Sequence, residues 1–418
     1  MKIKINEIHA CKALFFSISF FVGLWTVRIP DIKDQIGTDY QGMSYLFVIF
    51  SLGSIFTMII APKIIQNFSS KFIGLLTGFV ISFLWVFIPF VSSFYQMAVL
   101  SFIFGSSYGI IEIVLNLQAT SLEKKYEKPI MSGIHAFWSI GLLGGSFATS
   151  LFLEYEISFL INSLVFIVLI FPLFFFGSLT LKDTNSTPQK LSAIFFKWPK
   201  IVLILVIFST TCVFLEGGTD SWGALYMRDY LLAEGFNIGI AAIAFNGSMV
   251  FGRLTGDRLK SIFGIYNFLF ISIILSLLGS LIIFISKLAF ISILGFIIAG
   301  FGVASIVPIC YTLISRIKDL DQTVGVTIIT LAVYGNFTIA PPILGYTANL
   351  LGIQYVYLPI SILLLCALTS ILEDSESFRF KFVDVGFVGE GIYELLSSYQ
   401  GIYLTYLVQN NLLFLSIF

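Results

Sequence analysis

The stretch Phe263–Ile285, FGIYNFLFISIILSLLGSLIIFI, contains no charged residue and is long enough to cross a lipid bilayer. A helix rises about 1.5 Å per residue, so roughly 20 apolar residues span the hydrocarbon core. Eleven comparable runs occur elsewhere in the chain. The sequence therefore predicts an all-α membrane protein with twelve transmembrane helices.

The apolar runs form two groups of six on either side of a polar segment. The runs are His9–Val27, Tyr40–Ala61, Phe72–Ser92, Tyr95–Thr120, Met131–Leu153, Ile157–Leu181, then Ile201–Asp220, Asn237–Leu254, Phe263–Ile285, Ala289–Ile317, Thr323–Leu351 and Gln354–Leu372. We predict an N-terminal six-helix bundle over residues 1–181, a cytoplasmic linker over 182–200 and a C-terminal six-helix bundle over 201–372.

Residues 373–418 form an atypical tail that does not continue this pattern. The apolar end of the tail is interrupted by Gln409, Asn410 and Asn411, which a lipid-facing helix accommodates poorly. We expect an interfacial or disordered appendage rather than a thirteenth span, with an aberrant reading frame as a third explanation.

Composition restricts the partners of the chain. Hydrophobic residues make up 58% of it, charged residues only 11%, and the 23 basic residues equal the 23 acidic ones. A neutral balance gives no electrostatic footprint for nucleic acid, so the partners are expected in or across the bilayer. The four cysteines lie in apolar runs without metal-ligand spacing, so no metal or cofactor is expected.

The distribution of Lys and Arg predicts the orientation. Short loops rich in these residues stay cytoplasmic. With a cytoplasmic N-terminus, all but four of the 23 basic residues fall on the inner side, and the exceptions are Arg28, Lys33, Arg228 and Lys287. We expect a monomeric, multi-pass protein of a bacterial cytoplasmic (inner) membrane.

Ionisable residues inside membrane spans are rare and are candidates for function. Glu112 lies well inside the fourth run, and Asn116 follows four residues later on the same helix face. His135 lies at a comparable depth in the fifth run, so it and Glu112 are expected to face one cavity. We predict that Glu112 and His135 take part in proton coupling and that Asn116 contacts the substrate. The alternative is a polar cluster that only fastens two helices.

The seventh run ends in a second group of polar residues, Glu216-Gly217-Gly218-Thr219-Asp220-Ser221-Trp222. Its two acids are four residues apart, beside glycines that loosen a helix. With the aromatic rings of Trp222 and Tyr226, these carboxylates suit a polyhydroxylated ligand. We predict that Glu216, Asp220, Trp222 and Tyr226 bind substrate. The alternative is an aromatic belt at the outer interface with Asp220 in water.

The sequence gives little support to an enzyme. Gly105-Ser106-Ser107-Tyr108-Gly109 matches the nucleophile elbow of hydrolases, but it lies inside an apolar helix rather than in a strand–turn–helix unit. Small residues four apart favour close helix packing instead. No phosphate-binding loop of the Walker type occurs, so an ATP-driven pump is unsupported.

A family resemblance covers the chain up to about Leu372. The run Gly252-Arg253-Leu254-Thr255-Gly256-Asp257-Arg258-Leu259, expected in the inner loop after the eighth helix, resembles the loop signature of the major facilitator superfamily. The resemblance implies a gating loop made by Gly252, Arg253, Gly256, Asp257 and Arg258. The equivalent segment of the first half, Pro62–Asn67, is degenerate.

Finer features are similar to the fucose-permease-like branch and its YbjJ-type members. The matching stretches are Trp25–Pro30, Glu112 with Asn116, Met131–Ser139, Glu216–Tyr226 and Ala340–Gly345. This resemblance implies that Glu112 handles protons and sugar. In fucose permease an acid of the first helix also serves, and the first run here has none.

Together these observations predict a secondary active transporter of a small polar solute, a sugar or related metabolite, with alternating access and proton symport. A facilitator or a drug or metabolite exporter on the same fold is the alternative. A membrane sensor that transports nothing is a further alternative, since fold alone does not fix function.

Overall fold

Twelve helices in the described part of the chain are long and apolar enough to cross a membrane. The computed structural model describes residues 7–127, 131–183, 200–314, 317, 320 and 322–373. The predicted all-α fold with twelve spans is confirmed. The linker beyond Asp183 and the tail beyond Glu373 lie outside the described residues, so the predicted domain limits stay predictions.

Six α-helices occur among the described residues of the first half. They are α1 (Glu7–Gln35), α2 (Tyr40–Asn67), α3 (Ser70–Leu84), α4 (Phe94–Tyr126), α5 (Met131–Glu154) and α6 (Phe159–Ser178). A 3₁₀ turn, Ile88–Phe90, extends the third span.

The described residues of the second half form seven α-helices that make six spans. They are α7 (Lys200–Leu225), α8 (Ile240–Phe263), α9 (Ile265–Ile285), α10 (Ala289–Val303), α11 (Ile306–Ile314), α12 (Gln322–Leu351) and α13 (Tyr357–Glu373). A π-helical turn, Tyr226–Tyr230, continues α7, and 3₁₀ turns at Gly235–Gly239 and Ile353–Val356 precede α8 and α13. The predicted single helix from Ala289 to Ile317 is broken between Val303 and Ile306, so α10 and α11 share one span.

The first helix continues beyond the predicted end at Val27 because the charge of Arg28 is satisfied inside the protein. Arg28 is only 4% exposed. Its guanidinium donates to Asp31 at 2.7 Å, to the side chain of Asn162 at 3.2 Å and to the carbonyl of Ile157 at 3.0 Å. A paired and hydrogen-bonded charge can be buried where an isolated one cannot.

Within each half the helices pack against one another in pairs, and the two halves contact each other mainly through two further helix pairs. In the first half α1 packs along α5 and α2 along α4, and in the second α10 packs against α8 and α9. Between the halves, α2 lies against α12 and α5 against α8. The polar residues considered below therefore lie where the halves face each other.

Glycines allow the closest approaches between helices. A Cβ atom at Gly105 would collide with the carbonyl oxygen of Phe50, and one at Gly109 with that of Ser54. Ser54 donates its hydroxyl to the carbonyl of Gly105 at 2.8 Å, which ties α2 to α4. The Gly105–Gly109 segment is thus a helix-packing surface, as predicted.

Proline residues open the hydrogen-bond ladder of α12. Pro341 has no N–H, so the carbonyl of Phe337 loses its intrahelical donor. The hydroxyl of Ser51 on α2 donates to this carbonyl at 2.7 Å. A side chain of the first half therefore satisfies a backbone group of the second.

Candidate functional site

Arg253 connects the two halves near the middle of α8. Its Nη2 lies 3.7 Å from Oε1 of Glu216 on α7, and its Nη1 donates to the hydroxyl of Ser139 on α5. Both charged side chains remain about a quarter exposed, at 26% for Arg253 and 23% for Glu216. The contact with Ser139 joins the two halves inside the membrane, where a charged side chain is costly unless it is paired.

This position corrects the prediction that Arg253 belongs to a gating loop. The whole motif from Gly252 to Leu259 lies within α8, which ends only at Gly264, where a φ of 77° suits glycine. Arg258 is exposed. The sequence pattern placed the turn too early because Gly256, taken as part of a turn, is a packing glycine inside the helix.

The two motif glycines are explained by packing against the tenth span. A Cβ at Gly252 would lie 2.6 Å from Cβ of Ala304, and one at Gly256 would collide with the hydroxyl of Ser305. The backbone of Asp257 is helical. The gating roles of Gly252, Gly256, Asp257 and Arg258 stay predictions.

Asp220 is held one turn beyond Glu216 on α7. Its Oδ1 accepts a hydrogen bond of 3.0 Å from Nδ2 of Asn246 on α8. Asn246 is 1% exposed and also donates to the carbonyl of Ala242 at 3.1 Å. This geometry argues against the alternative in which Asp220 is simply solvated. Sequence reasoning missed Asn246, although an asparagine within an apolar run is itself a signal.

Glu112 faces the same region from α4 of the first half. Tyr108, one turn before it, lies within electrostatic range of Glu112, Glu216 and Asp220. The Tyr108 ring packs edge-on against Trp138 of α5 at 5.7 Å between centroids. Tyr108 is therefore a further candidate for the site that the sequence reasoning missed, and its spacing of four from Glu112 was the available signal.

Asn116 and His135 have different surroundings from those expected. The Asn116 amide donates to the backbone carbonyl of Glu112 at 3.0 Å, which is a bond within α4. The His135 ring packs on Phe15 of α1 at 5.0 Å between centroids and lies within electrostatic range of Arg253. Helices α4 and α5 pack mainly against α2 and α1, respectively. A direct role of His135 beside Glu112 stays a prediction.

Tyr226 does not face the acids, contrary to the prediction. Its side chain is fully buried, and its hydroxyl donates to the carbonyl of Ile283 at 2.6 Å and pairs with Ser292 at 3.1 Å. Each residue turns a helix by about 100°, so six residues place Tyr226 far around α7 from Asp220. In this structure Tyr226 fastens α7 to α9 and α10.

Trp222 lies between the halves rather than beside the acids. Its ring packs edge-on against Phe47 at 5.7 Å and Tyr40 at 6.4 Å, both on α2. The ring is fully buried. Two residues after Asp220 correspond to about 200° of rotation, which places Trp222 on another face of α7.

Ion pairs join the halves at the end of the molecule that carries the α1–α2 turn, the predicted outer side. Arg228 donates to both carboxylate oxygens of Asp34, at 2.7 and 3.1 Å. The hydroxyl of Tyr40 donates to Asp229 at 2.9 Å, and Lys33 lies 3.8 Å from the same carboxylate. The site is thus covered on this side.

No group of three or more His, Cys, Asp or Glu side chains that could hold a metal ion occurs among the described residues. At the centre Glu216 instead pairs with Arg253, and Asp220 with Asn246, in both cases between α7 and α8.

The fold and the site define a polytopic membrane protein whose two helical halves enclose intramembrane acids and an arginine. The family model of the major facilitator superfamily matches residues 12–316. The chain belongs to this superfamily and is a membrane transporter protein of its type.

Curated relatives cover most of the chain. An uncharacterised MFS-type transporter of Yersinia pestis is 24% identical over 367 residues, which is 88% of this chain and 95% of that protein. Membrane protein MosC of Rhizobium meliloti is 25% identical over 352 residues, covering 81% of this chain and 83% of that protein.

Solved structures show the same fold at low sequence identity. The nucleoside transporter NupG superposes with a TM-score of 0.68 at 15% identity, covering 88% of this chain and 99% of that one. A bacterial homologue of the human lysosomal transporter Spinster, in an inward-facing and occupied conformation, gives a TM-score of 0.66 at 12% identity, with coverage of 90% and 97%.

Proposed function

We propose that this protein is a secondary active transporter that moves a small polar solute, of the sugar type, together with protons. The observation that carries the proposal is the Arg253 contact, which joins Glu216 of one half to Ser139 of the other inside the membrane. Alternating access requires contacts between the halves that form in one state and break in another.

The charges at the centre suit proton coupling. At 3.7 Å the Arg253–Glu216 pair is longer than a direct hydrogen bond, and both groups keep partial exposure. Protonation of Glu216 would remove its attraction for the guanidinium, and Arg253 would then be available to a solute oxygen. Such an exchange links the proton to the solute without a metal or a nucleotide.

Glu112 is the second acid in this proposal and the proton acceptor of the first half. Glu112 matches the motif position of the proton-handling acid in the fucose-permease-like branch, which supports the role. Tyr108 also lies within electrostatic range of Glu112, Glu216 and Asp220, so the three acids are near one another. Asn116, His135 and Asp220 would adjust how strongly these two acids bind protons. We place the protein in that branch as part of the proposal.

The chain is further proposed to work as a monomer in a bacterial cytoplasmic membrane with its N-terminus inside. The asymmetric distribution of basic residues supports this orientation.

Reconstitution into liposomes tests the function. Purified protein is screened by thermal shift against sugars and related metabolites, because a ligand of the native state raises apparent stability. Radiolabelled forms of the stabilising solutes are then offered to proteoliposomes with an imposed pH gradient. We expect accumulation that collapses when a protonophore is added. Equilibration without accumulation would instead support a facilitator, and no uptake of any stabilising solute would contradict transport.

A further inference from the structure

A small cavity between α7 and α12 is lined by two residues that each carry a buried polar atom without a hydrogen-bond partner. The cavity has a volume of about 20 Å³. It is lined by Gly217, Ser221, Trp222, Asn336, Phe337, Ala340, Pro341 and Leu344. A volume of this size holds one water-sized group.

The unpaired atoms are the indole Nε1 of Trp222 and the amide Oδ1 of Asn336. Trp222 is fully buried and Asn336 is 3% exposed, so bulk water does not satisfy either atom. Leaving a buried donor or acceptor unpaired is costly, and such groups are uncommon in folded proteins. Two on the wall of one cavity indicate a place where a ligand group completes the hydrogen bonds.

The chemistry of the two atoms selects the group. The Trp222 N–H is a donor only, and the Asn336 carbonyl oxygen is an acceptor. A hydroxyl group satisfies both at once, because its oxygen accepts from the indole and its hydrogen donates to the amide. The described lining contains no charged side chain, so an ionised group would be buried there without a counter-charge.

The position of the cavity connects it to the charged centre. Gly217 and Ser221 follow Glu216 and Asp220 directly, so the wall that they form lies about 100° around α7 from the two acids, and the Trp222 wall lies farther around. The cavity is thus beside the acids along α7, where a second part of the same solute would lie. The Trp222 ring that closes against Phe47 and Tyr40 covers this position from the predicted outer side.

We propose that this cavity is a hydroxyl subsite of the transported solute, in which Trp222 donates to and Asn336 accepts from one neutral hydroxyl group. The inference rests on the proposed function and narrows the solute to one with an uncharged hydroxyl beyond the groups that meet the acids.

Three substitutions in the full-length protein test the subsite. Trp222→Phe keeps an aromatic ring and removes the N–H, and Asn336→Leu keeps a similar shape and removes the acceptor. Gly217→Ala fills the cavity with a methyl group whose nearest neighbour, Cε1 of Phe337, would be 3.5 Å away, an ordinary contact.

Two control substitutions match these changes elsewhere. Trp85→Phe also removes a buried, unpaired indole N–H, but in the first half, where Trp85 packs among Phe21, Trp25 and Phe104. Gly247→Ala adds a methyl group to α8 at 3.8 Å from Leu143.

The probes are glucose, galactose and their monodeoxy analogues, and dissociation constants are measured by thermal shift and competition. We expect the wild-type protein to prefer a parent sugar over one deoxy analogue by about tenfold or more, because the analogue leaves both polar atoms unpaired. Trp222→Phe, Asn336→Leu and Gly217→Ala should reduce this preference below about twofold. Trp85→Phe and Gly247→Ala should keep it.

Ligand-free stability gives a second readout. Removing an unsatisfied acceptor should raise the melting temperature of Asn336→Leu, as expected where a binding site is kept at the expense of stability. A lower melting temperature with unchanged sugar preference would identify a structural water site and overturn the proposal.

The outcomes separate the subsite from the proposed function. If sugars are transported and the cavity variants keep the wild-type preference, or the wild-type protein shows none, the subsite is wrong and the function stands. If the wild-type protein neither binds nor transports any of these sugars, the solute class fails and the subsite with it.

Discussion

Arg253 and Glu216 face each other on α8 and α7 at 3.7 Å, and Arg253 also holds Ser139 of the opposite half. The guanidinium thus has one partner that moves with it and another that does not. Any rigid-body movement of the halves must break the Ser139 contact while the Glu216 contact can persist.

Removing one member of this pair should lower the stability of the protein more than removing both. Arg253→Gln leaves Glu216 without its cation inside the membrane, so we expect at least a tenfold loss of proton-driven uptake and a lower melting temperature. The double variant Arg253→Gln/Glu216→Gln should regain stability, with a coupling of about 1 kcal/mol for a partly exposed pair. Strictly additive effects on melting temperature would show that the pair does not interact.

Glu112→Gln should uncouple transport from the proton gradient. The amide keeps the size and hydrogen bonding of the carboxyl group but cannot titrate. We expect the variant to lose solute accumulation driven by a pH gradient. Its rate of counterflow exchange at equal pH should stay within about threefold of the wild-type rate. The same change at the exposed Glu127, which directly follows α4, serves as the control. Accumulation at the wild-type level would move the coupling role to Glu216.

Weakening the outer ion pairs should open the predicted outer side. Asp34→Asn removes the bidentate partner of Arg228, and exposed pairs are worth up to about 1 kcal/mol, or roughly a fivefold shift in population. Spin labels at Tyr95→Cys and Leu350→Cys, in a Cys366→Ser background, should report a larger fraction of long distances. Lys287→Gln is the control. Arg228→Gln should shift the distribution at least as far as Asp34→Asn, because Arg228 also bonds Asp229 at 2.7 Å. No shift in either variant would contradict a stabilising role of the pair.

Gly105→Ala should destabilise the protein because its methyl group would meet the backbone of Phe50. Overpacking of this kind costs about 1–3 kcal/mol. Thermal unfolding in detergent measures the effect, with Gly247→Ala as the tolerated counterpart. An unchanged melting temperature would mean that α2 and α4 can separate freely at this point.

Labelling of intact cells tests the orientation. A cysteine at Ser186, in the predicted cytoplasmic linker, should resist a membrane-impermeant thiol reagent, whereas one at Tyr95, which is 81% exposed at the predicted outer side, should react. The reverse pattern would invert the topology.

The fold could be predicted from the sequence because the signal is one of length and hydrophobicity. The predicted run Phe263–Ile285 differs from α9 by only two residues at its start. Breaks inside a span were not predictable, since the residues between Val303 and Ile306 are as apolar or small as their neighbours.

The site was predicted less completely because side-chain direction depends on helix rotation and on the partner helix. Glu216 and Asp220 were singled out as candidates by their charge, and Tyr226 was misplaced because proximity in sequence was taken for a shared face. Asn246 and Asn336 stand out in the sequence only as asparagines within apolar runs, and the packing of α8 and α12 against α7 shows what they face. Arg253 was assigned to a loop because the helix end at Gly264 was not recognised.

The bond from Ser51 to the Phe337 carbonyl has a consequence for the resting state. Pro341 cannot donate to the Phe337 carbonyl, and Ser51 donates to it while α2 lies against α12. When these helices separate this hydrogen bond is lost, at a cost of about 1 kcal/mol. The Ser51 hydrogen bond therefore adds stability to the arrangement in which α2 and α12 touch, and we expect this arrangement to be favoured when no solute is bound.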